Sequence, residues 1–206
     1  MSRIDEVVAM DRRRFLRSAL VGGAILAGGG GLALPRLFAA SNDGWPPGLI
    51  RTTPGVVLLE VFANDGRDLG RQRLPKVVLS DAEWHRRLSP AAFDIMRRSG
   101  TERAFSGPHE RPAARGIYRC AGCATALFDD ATQFDSGTGW PSFWQPISRL
   151  NVIELSDNSL GMERTEVRCA RCESHLGHVF DDGPRPTGLR YCMNSLALHF
   201  VARTAD

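Results

Sequence analysis

Two Cys-x-x-Cys pairs constrain this chain more than any other feature. They are Cys120-Ala-Gly-Cys123 and Cys169-Ala-Arg-Cys172. This spacing lets two thiolates from one tight turn point at a single ion, and two such knuckles complete a tetrahedral zinc site with four cysteine ligands. The 45 residues between the pairs exceed the roughly 15–20 of a compact zinc ribbon. We therefore predict one structural zinc ion per chain, which fastens distant parts of a larger domain together.

Other interpretations of the cysteine pairs stay open. The pairs could form two redox dithiols, or two disulfides in an oxidising compartment. A thioredoxin-type dithiol lies at the strand-to-helix junction of a βαβ unit, and neither pair has that sequence context. His175 and His178 follow Cys172 closely and are candidate ligands, but four thiolates already close a tetrahedral site. Zinc bound by the four cysteines is the favoured interpretation.

The distribution of charge argues against a nucleic-acid partner. The chain has 206 residues and a net charge of +3. Six of its 26 basic and three of its 23 acidic residues lie in the first 40, which leaves 20 of each for the remainder. A protein that neutralises phosphates usually carries a basic stripe. We therefore expect one nearly neutral folded domain after residue 40 and no nucleic acid as partner.

Residues 1–40 have the layout of a signal peptide. Arg12-Arg13-Arg14-Phe15-Leu16 is followed by 17 uncharged residues, Ser18 to Leu34. The segment resembles a twin-arginine export signal, in which two arginines and any residue precede two apolar residues. The apolar run contains six glycines and is shorter than the roughly 20 residues of a membrane-spanning helix. We predict export to the periplasm or cell envelope, cleavage near Ala40, and membrane attachment only if the signal stays uncleaved.

Residues 41–78 are predicted to be a linker and an N-terminal strand extension. The segment begins with Pro and Gly residues, which are typical of a linker. Val56 to Phe62 is rich in β-forming residues, and Asn64-Asp65-Gly66 is a turn signal. The extension therefore precedes the main domain.

From residue 79 onward, the pattern predicts two short helices followed by antiparallel strands. Ser80 and Glu83 have the spacing of a capping box, which begins a first helix. Ser89-Pro90 predicts the start of a second helix that ends near Gly100. Strand signals separated by Gly and Pro follow at Ile117-Tyr118, Val152 to Leu155, Glu163 to Arg168 and Ser195 to Val201.

The fifth cysteine, Cys192, lies outside the two knuckles. It stands in Gly188-Leu-Arg-Tyr-Cys-Met-Asn194, directly before the last predicted strand. A lone cysteine is usually an inert buried residue. Arg190 or nearby histidines could lower its pKa and so raise the fraction of thiolate that attacks an electrophile. From these residues alone, an inert and a reactive Cys192 are both open.

Two further segments hold candidate site residues. Phe134 to Trp144 sets glycines beside aromatic residues in a loop able to line an apolar pocket, although core packing is the default interpretation. Ser174 to Phe180 contains two imidazoles, His175 and His178, and histidines of this kind are more often structural than catalytic. Taken separately, neither segment identifies a function.

Taken together, the segments carry a family resemblance. Residues 79–203 resemble the peptide-methionine (R)-S-oxide reductases of the B type. The resemblance implies a mainly β fold of two antiparallel sheets with short N-terminal helices, stapled by one four-cysteine zinc site remote from the active site. It rests on seven segments in order: Gly-Thr-Glu-Arg-Ala-Phe-Ser-Gly (100–107), Cys-x-x-Cys (120–123), Phe-Asp-Ser-Gly-Thr-Gly-Trp-Pro-Ser-Phe (134–143), Cys-x-x-Cys (169–172), His-Leu-Gly-His-Val-Phe (175–180), Asp-Gly-Pro (182–184) and Gly-Leu-Arg-Tyr-Cys-Met-Asn-Ser (188–195).

The same resemblance implies roles for five residues. Cys192 becomes the nucleophile that attacks the sulfur of methionine R-sulfoxide, and Trp140 holds the substrate methyl group and stabilises the growing positive charge. His178 protonates the departing oxygen as an imidazolium, while His175 and Asn194 orient it. Methionine leaves, and Cys192 becomes a sulfenic acid. The implied function is the repair of oxidised methionine in exported proteins.

The chain departs from the family pattern at Thr138. Many members place a resolving cysteine at this position, before the Gly-Trp pair. Because four cysteines are assigned to zinc, no thiol remains in the chain to form a disulfide with Cys192. We therefore predict that an external thiol reductant, such as a thioredoxin-like partner, reduces the sulfenic acid directly.

Two alternative functions stay open. The chain could be a non-enzymatic zinc-knuckle binding module, in which the aromatic loop docks a partner and Cys192 is a buried filler. It could also keep the scaffold and reduce another sulfoxide. Cys192, His178 and Trp140 together are the residues that separate the enzyme from the binding module.

Overall fold

The computed structural model describes residues 49–107, 114–158 and 163–203. The signal predicted over residues 1–40 lies outside these ranges, as does the start of the predicted linker. Neither helix in the described part of the chain is long and apolar enough to span a membrane. The helices and strands are β1 (Val56–Phe62), β2 (Asp68–Pro75), α1 (Asp81–Arg87), α2 (Pro90–Arg98), β3 (Gly116–Cys120), β4 (Ala126–Asp129), β5 (Gln133–Phe134), β6 (Ser142–Phe143), β7 (Val152–Asp157), β8 (Arg164–Cys169), β9 (His175–Phe180), β10 (Arg190–Met193) and β11 (Leu198–Ala202).

The strands of the main domain form two antiparallel sheets. One has six strands in the order β5-β6-β10-β9-β8-β7, and the other has three in the order β11-β3-β4. Every strand pair in them is antiparallel. The predicted fold class, mainly β with two antiparallel sheets after two short helices, is confirmed. The extension adds β1 and β2, which pair with each other as a separate two-stranded sheet.

Both helices begin where the sequence predicts, and the second ends close to Gly100, as predicted. The Ser80 side chain accepts from the Glu83 amide and the Glu83 side chain accepts from the Ser80 amide, which makes the predicted capping box. Ser89 caps the second helix, Pro90 occupies its first turn, and Ser99 ends it with a left-handed backbone. These local interactions satisfy amide groups that a helix end otherwise leaves without a partner.

The helices pack their apolar face against the first cysteine knuckle. Trp84, Phe93 and Met96 are fully buried in the core. A Cβ at Gly122, inside the knuckle, would lie 3.1 Å from the Trp84 ring and 3.3 Å from the Met96 methyl group. The glycine therefore allows the close approach that seats the knuckle on the helices.

The last predicted strand is shorter than expected. Residues 195–197 form a 3-10 turn, and β11 begins only at Leu198. The reason is a contact from far away in the sequence, because the Glu102 carboxylate accepts hydrogen bonds from the amides of Ser195 and Leu196. Amides held by a carboxylate cannot enter a strand ladder. Six strands, β2, β4, β5, β6, β9 and β10, were not predicted, and Cys192 lies within one of them, β10.

Candidate active site and metal centre

The two cysteine knuckles have the same backbone geometry. In each, the residue after the second cysteine adopts a left-handed conformation, with φ of 61° at Ala124 and 56° at Glu173. Its amide donates back to the carbonyl of the first cysteine at 2.8 Å, Ala124 to Cys120 and Glu173 to Cys169. Each turn therefore presents both of its thiols to the same side.

The four knuckle cysteines come together in one buried group. Their sulfur atoms all lie within 4.8 Å of one another, with 3.6 Å between Cys120 and Cys172 and 3.5 Å between Cys123 and Cys169. A tetrahedral ion with metal–sulfur bonds of about 2.3 Å sets sulfurs about 3.8 Å apart, so the donor set fits such an ion. Burial raises the pKa of Cys169 and so disfavours its thiolate form. A bound cation is therefore needed to hold four thiolates together here.

The alternative interpretations of the cysteines do not match this geometry. All four are free thiols rather than two disulfides. The two histidines bond to carboxylates rather than to the cysteine group. His175 Nδ1 lies 2.7 Å from a Glu166 carboxylate oxygen, and His178 Nε2 lies 2.8 Å from an Asp157 carboxylate oxygen. The four cysteines are therefore the residues that could hold a metal ion.

Cys192 lies in the middle of the six-stranded sheet. It is on β10, between β6 and β9, where its cross-strand partners are Ser142 and His178. Directly opposite residues of an antiparallel pair point to the same face, with Cβ atoms about 5 Å apart. Cys192 is half-buried, whereas the four knuckle cysteines are buried. The only cysteine outside the knuckles is thus also the one that solvent reaches most.

Two hydroxyl groups, those of Thr138 and Ser142, lie near the Cys192 thiol and lower its pKa. A third links them, because Ser136 Oγ lies 2.8 Å from both Thr138 Oγ1 and Ser142 Oγ. Burial raises the pKa of Cys192, while Arg190 and the two hydroxyls act in the opposite direction without reversing it. Arg190 does lower the pKa of this thiol, as the sequence suggests, but burial outweighs the charge and the pKa is raised overall.

His175 is held by a carboxylate at the back of the site. Its side chain is 1% exposed, and its Nδ1 lies 2.7 Å from Glu166 Oε1. Arg168 lies 2.8 Å from the other Glu166 oxygen. Burial opposes ionisation of Glu166, but hydrogen bonds from His175 and Arg168 lower the pKa of this carboxyl to about 2. His175 is thereby fixed against an ionised partner.

His178 is held by a second carboxylate, nearer to solvent. Its Nε2 lies 2.8 Å from Asp157 Oδ2, and Arg164 lies 2.8 Å from the same oxygen. Burial lowers the pKa of His178, although the hydrogen bond to Asp157 acts against this. The rings of His175 and His178 are 5.3 Å apart and edge to face. The site therefore contains two histidine–carboxylate–arginine units side by side.

Asn194 and Trp140 are joined through Glu102. Asn194 is buried, donates to the Leu176 carbonyl at 3.1 Å and accepts from the Glu102 amide at 3.0 Å. The Glu102 carbonyl in turn accepts from Trp140 Nε1 at 3.2 Å. The side chain of Asn194 therefore holds the loop that positions Trp140, and these bonds engage neither histidine.

A cavity of about 510 Å³ opens beside Trp140. Phe105, which is 79% exposed, stands at its rim, and its amide donates to the Gly139 carbonyl at 2.9 Å. Ser142 lines the cavity and is also the cross-strand partner of Cys192. Both interpretations of the aromatic loop hold in part, because its residues line this cavity while Phe143 packs in the core. The lining residues of the cavity are Phe105, Gly107, Gln133, Phe134, Asp135, Ser136, Gly139, Trp140, Pro141 and Ser142.

The charged partners of the site residues were not predicted from the sequence. Asp157 and Glu166 hold the two histidines, and Glu102 organises the loop. The alternation of Arg164-Thr165-Glu166-Val167-Arg168 is a signal that could have found some of them, because it sets three charged residues on one face of a strand. By itself the alternation predicts only the strand, which is β8.

A half-buried thiol beside imidazole and carboxylate groups is an arrangement typical of thiol-dependent enzymes. The model of the SelR domain matches residues 88–202. A peptide methionine sulfoxide reductase MsrB of Pseudomonas aeruginosa (strain UCBPP-PA14) is 57% identical over 120 residues, which cover 58% of this chain and 91% of the relative. Enzymes with the same name from Agrobacterium fabrum (52% over 126 residues, 61% and 93%) and Thiobacillus denitrificans (54% over 121 residues, 59% and 92%) are also similar. The chain belongs to this SelR, or MsrB, family of reductases.

Proposed function

We propose that this protein reduces the R epimer of methionine sulfoxide in proteins or peptides to methionine, with Cys192 as the nucleophile. The observation that carries the proposal is the place of Cys192. It is half-buried on the central strand β10, opposite His178, and its other cross-strand partner, Ser142, lines the cavity beside Trp140. The other four cysteines are gathered in the metal centre. One thiol is thus available for chemistry.

The reaction balances with one thiol. The Cys192 sulfur attacks the sulfoxide sulfur, and the sulfoxide oxygen takes a proton. The hydroxyl then passes to the cysteine sulfur as the bond between the two sulfurs breaks, which gives methionine and a sulfenic acid. Cysteine loses two electrons and the sulfoxide gains two. Two external thiols then reduce the sulfenic acid to the free thiol and release water and a disulfide.

The geometry supports selection of one epimer. A sulfoxide sulfur carries an oxygen, a methyl group and the methionine chain. If Cys192 attacks the sulfur, His178 receives the oxygen and Trp140 packs against the methyl group, then only one handedness leaves the chain pointing out of the cavity. The Trp140 face also stabilises the sulfonium-like sulfur by about 0.5–2 kcal/mol. We assign the R epimer because the chain resembles the reductases that act on that epimer.

The second half of the cycle uses an external reductant, for which a thioredoxin-like protein is the proposed partner. Thr138 lies near the Cys192 thiol and lowers its pKa, and it occupies the position at which many members of the resembled family have a resolving cysteine. No other cysteine is free to form a disulfide within the chain, because the remaining four lie together in the metal centre. The sulfenic acid is therefore reduced by a thiol from another molecule.

The metal centre is proposed to hold zinc through Cys120, Cys123, Cys169 and Cys172. An all-thiolate tetrahedral set favours zinc over the cations that prefer oxygen. Such a closed site leaves no open position for a substrate, so the ion supplies folding stability rather than chemistry. The residues of the reaction are those of the six-stranded sheet and its loop.

Export through a twin-arginine signal is part of the proposal. Its support is the sequence of residues 1–40, with Arg12 and Arg13 before an uncharged run. Changing both arginines to lysine in the full-length protein tests it. We expect the native signal to deliver the protein to the envelope fraction and the Lys-Lys variant to accumulate in the cytoplasm. Equal distribution of the two proteins would contradict export by this route.

The activity is tested with separate R and S epimers of a methionine sulfoxide peptide, with dithiothreitol as reductant. We expect the full-length protein to reduce the R epimer only, and the Cys192→Ser variant to reduce neither while keeping its metal and its fold. Reduction of neither epimer, or of the S epimer alone, by the native protein would refute the assignment.

The sulfenic acid is tested separately by omitting the reductant. After one turnover, dimedone should label Cys192, and mass spectrometry should find no new disulfide. A disulfide between Cys192 and any knuckle cysteine would contradict the proposed second half of the cycle.

A further inference from the structure

Asp157 is a charged residue of the site that the sequence patterns do not indicate. It lies at the end of β7, three strands away from the strand of Cys192 in the order of the sheet. Its Oδ2 atom is 2.8 Å from His178 Nε2 and 2.8 Å from Arg164. His178 is in turn directly opposite Cys192 on β10. The residues that carry the thiol, the imidazole and the carboxylate therefore share one face of the sheet, with His178 between the other two.

The bond to Asp157 decides which atom of His178 can react. Because Nε2 is engaged by the carboxylate, Nδ1 is the ring nitrogen left to exchange a proton with the thiol and the substrate. We propose that Asp157 is a positioning residue for sulfoxide reduction, which aligns His178 so that Nδ1 carries the thiol proton of Cys192 to the sulfoxide oxygen. This inference rests on the function proposed above.

The charges around His178 explain why one carboxylate matters. Burial, Arg164 and His175 all disfavour a positive charge on His178. Glu166 lies opposite His178 on β8, but its oxygens are engaged by His175 and Arg168. Asp157 is the carboxylate in direct contact with the ring. The charged and titratable groups that face His178 are Asp157 from β7, Arg164 and Glu166 from β8, His175 from β9, and Cys192 and Arg190 from β10.

The resting state of the pair fits a proton carrier. Burial lowers the pKa of His178 and raises that of Cys192. At neutral pH, both groups are therefore uncharged before the substrate binds, and the proton has to move during the reaction. A carboxylate behind the imidazole stabilises the imidazolium while it carries the proton, as in other nucleophile–histidine–aspartate arrangements.

The step is balanced without another reactant. The proton leaves Cys192 Sγ for His178 Nδ1 as the sulfur attacks the sulfoxide sulfur. His178 then passes the same proton to the sulfoxide oxygen, which leaves as the hydroxyl group of the sulfenic acid. His178 ends neutral, as it began. Asp157 neither gains nor loses a proton.

The test compares three variants of the full-length protein. Asp157→Asn removes the charge but keeps an oxygen that can accept from His178. Asp157→Glu restores the carboxylate. Glu154→Gln is the matched control, because Glu154 lies on the same strand and accepts from the Tyr191 hydroxyl at 2.7 Å, away from the histidines. All three are compared with the native protein on the R-sulfoxide peptide between pH 5 and 9.

Asp157→Asn should lower kcat/KM by about 100-fold, a typical contribution of acid–base catalysis, with most of the loss in kcat. The acid-side limb of its pH profile should move to lower pH, because an imidazolium without the carboxylate loses its proton more easily. Asp157→Glu should restore part of the rate and the position of the limb. Glu154→Gln should leave both unchanged. An Asp157→Asn profile with the native limb would overturn the inference, whatever its rate.

A readout that needs no activity separates this inference from the proposed function. The carbon-bound protons of the His178 ring, assigned with a His178→Gln variant, report its pKa by NMR. The pKa should fall in Asp157→Asn and stay unchanged in Glu154→Gln. If the native protein reduces no sulfoxide, the proposed function fails. If it does, and the pKa of His178 is the same in Asp157→Asn, only the role of Asp157 fails.

Discussion

The metal centre and the proposed catalytic face, formed by Cys192, His178, Asp157 and Trp140, are assembled from the sequence in different ways. Each half of the metal centre comes from one four-residue turn, and the two turns share a left-handed residue after the second cysteine, Ala124 or Glu173. Each also has a hydroxyl near that cysteine, from Thr125 at 3.2 Å and Ser174 at 3.3 Å. The centre therefore consists of the same local turn repeated at two places in the chain, and the cysteines of both turns are buried.

The catalytic face has no such local unit. Cys192, His178 and Asp157 come from three different strands, and Trp140 comes from a loop that Glu102 holds from elsewhere in the chain. The comparison leads us to expect that stability is concentrated at the metal centre and that the proposed reactivity is located on the sheet. Substitutions at the two places should therefore have separate effects.

The largest expected effect is at the metal centre. Cys169→Ser removes one of four ligands and leaves three buried thiols without a full tetrahedral site. Structural zinc contributes about 10–16 kcal/mol in zinc-finger peptides, which is comparable to the whole stability of a typical domain. We expect this variant to lack zinc by elemental analysis and to show no cooperative thermal unfolding.

Cys192→Ser is the matched control for that experiment. Cys192 is outside the metal centre, so the variant should keep one zinc ion and the native melting temperature while losing all activity. If Cys169→Ser kept a native melting curve, or if Cys192→Ser lost zinc, stability and reactivity would not be separated as the comparison requires.

The same contrast explains how much could be predicted from sequence. The cysteine knuckles, the capping box of Ser80 and the start of α2 depend on residues within a few positions of one another, and all were predicted. The pairing of His175 with Glu166 depends on strand register. A bulge between Val167 and Arg168 shifts that register, and no period in the sequence encodes it.

Long-range contacts account for the remaining differences. The carboxylate of Glu102 turned the start of the last predicted strand into a 3-10 turn, although Glu102 and Ser195 are 93 positions apart in the chain. Burial, which depends on the whole fold, raised the pKa of Cys192 when the nearby Arg190 suggested the reverse. Sequence therefore predicted which residues the fold brings near one another better than it predicted their electrostatics.

The next largest effect concerns the second half of the cycle. Thr138 lies near the Cys192 thiol and lowers its pKa, so we expect Thr138→Cys to bring a second sulfur within reach of a disulfide with Cys192. After one turnover without reductant, we expect a disulfide between positions 138 and 192 by mass spectrometry and loss of dimedone labelling. Thr138→Ser is the control and should still be labelled. Persistent labelling of Thr138→Cys would show that the two side chains do not meet.

A smaller effect is expected in acid. The pKa of Glu166 is lowered from its ordinary 4.5 to about 2, so its ionised form stabilises the fold above pH 4.5. That contribution is lost as the pH falls from about 4.5 to about 2. Glu166→Gln removes it, and its melting temperature should therefore depend less on pH in this window than that of the native protein. Parallel curves for the two proteins would contradict the pairing of Glu166 with His175.

The smallest effect is expected where Thr52 of the N-terminal extension contacts Cys172 of the second knuckle. Thr52 is buried and its hydroxyl donates to the Cys172 carbonyl at 2.5 Å, while the same carbonyl accepts from the buried Arg97 at 3.0 Å. Thr52→Val keeps the shape and removes one hydrogen bond, at a cost of about 0.5–1.5 kcal/mol. The neighbouring Thr53 is exposed, which makes Thr53→Val a matched control.

We expect Thr52→Val to melt a few degrees lower and to release zinc faster to a chromogenic chelator, with unchanged kcat/KM on the R-sulfoxide peptide. Thr53→Val should match the native protein in all three measurements. The extension lies before residue 88, where the SelR match begins, so faster zinc release would show that a segment outside the family domain helps to hold its metal. If both threonine variants released zinc at the native rate, the knuckle would be closed by the family domain alone.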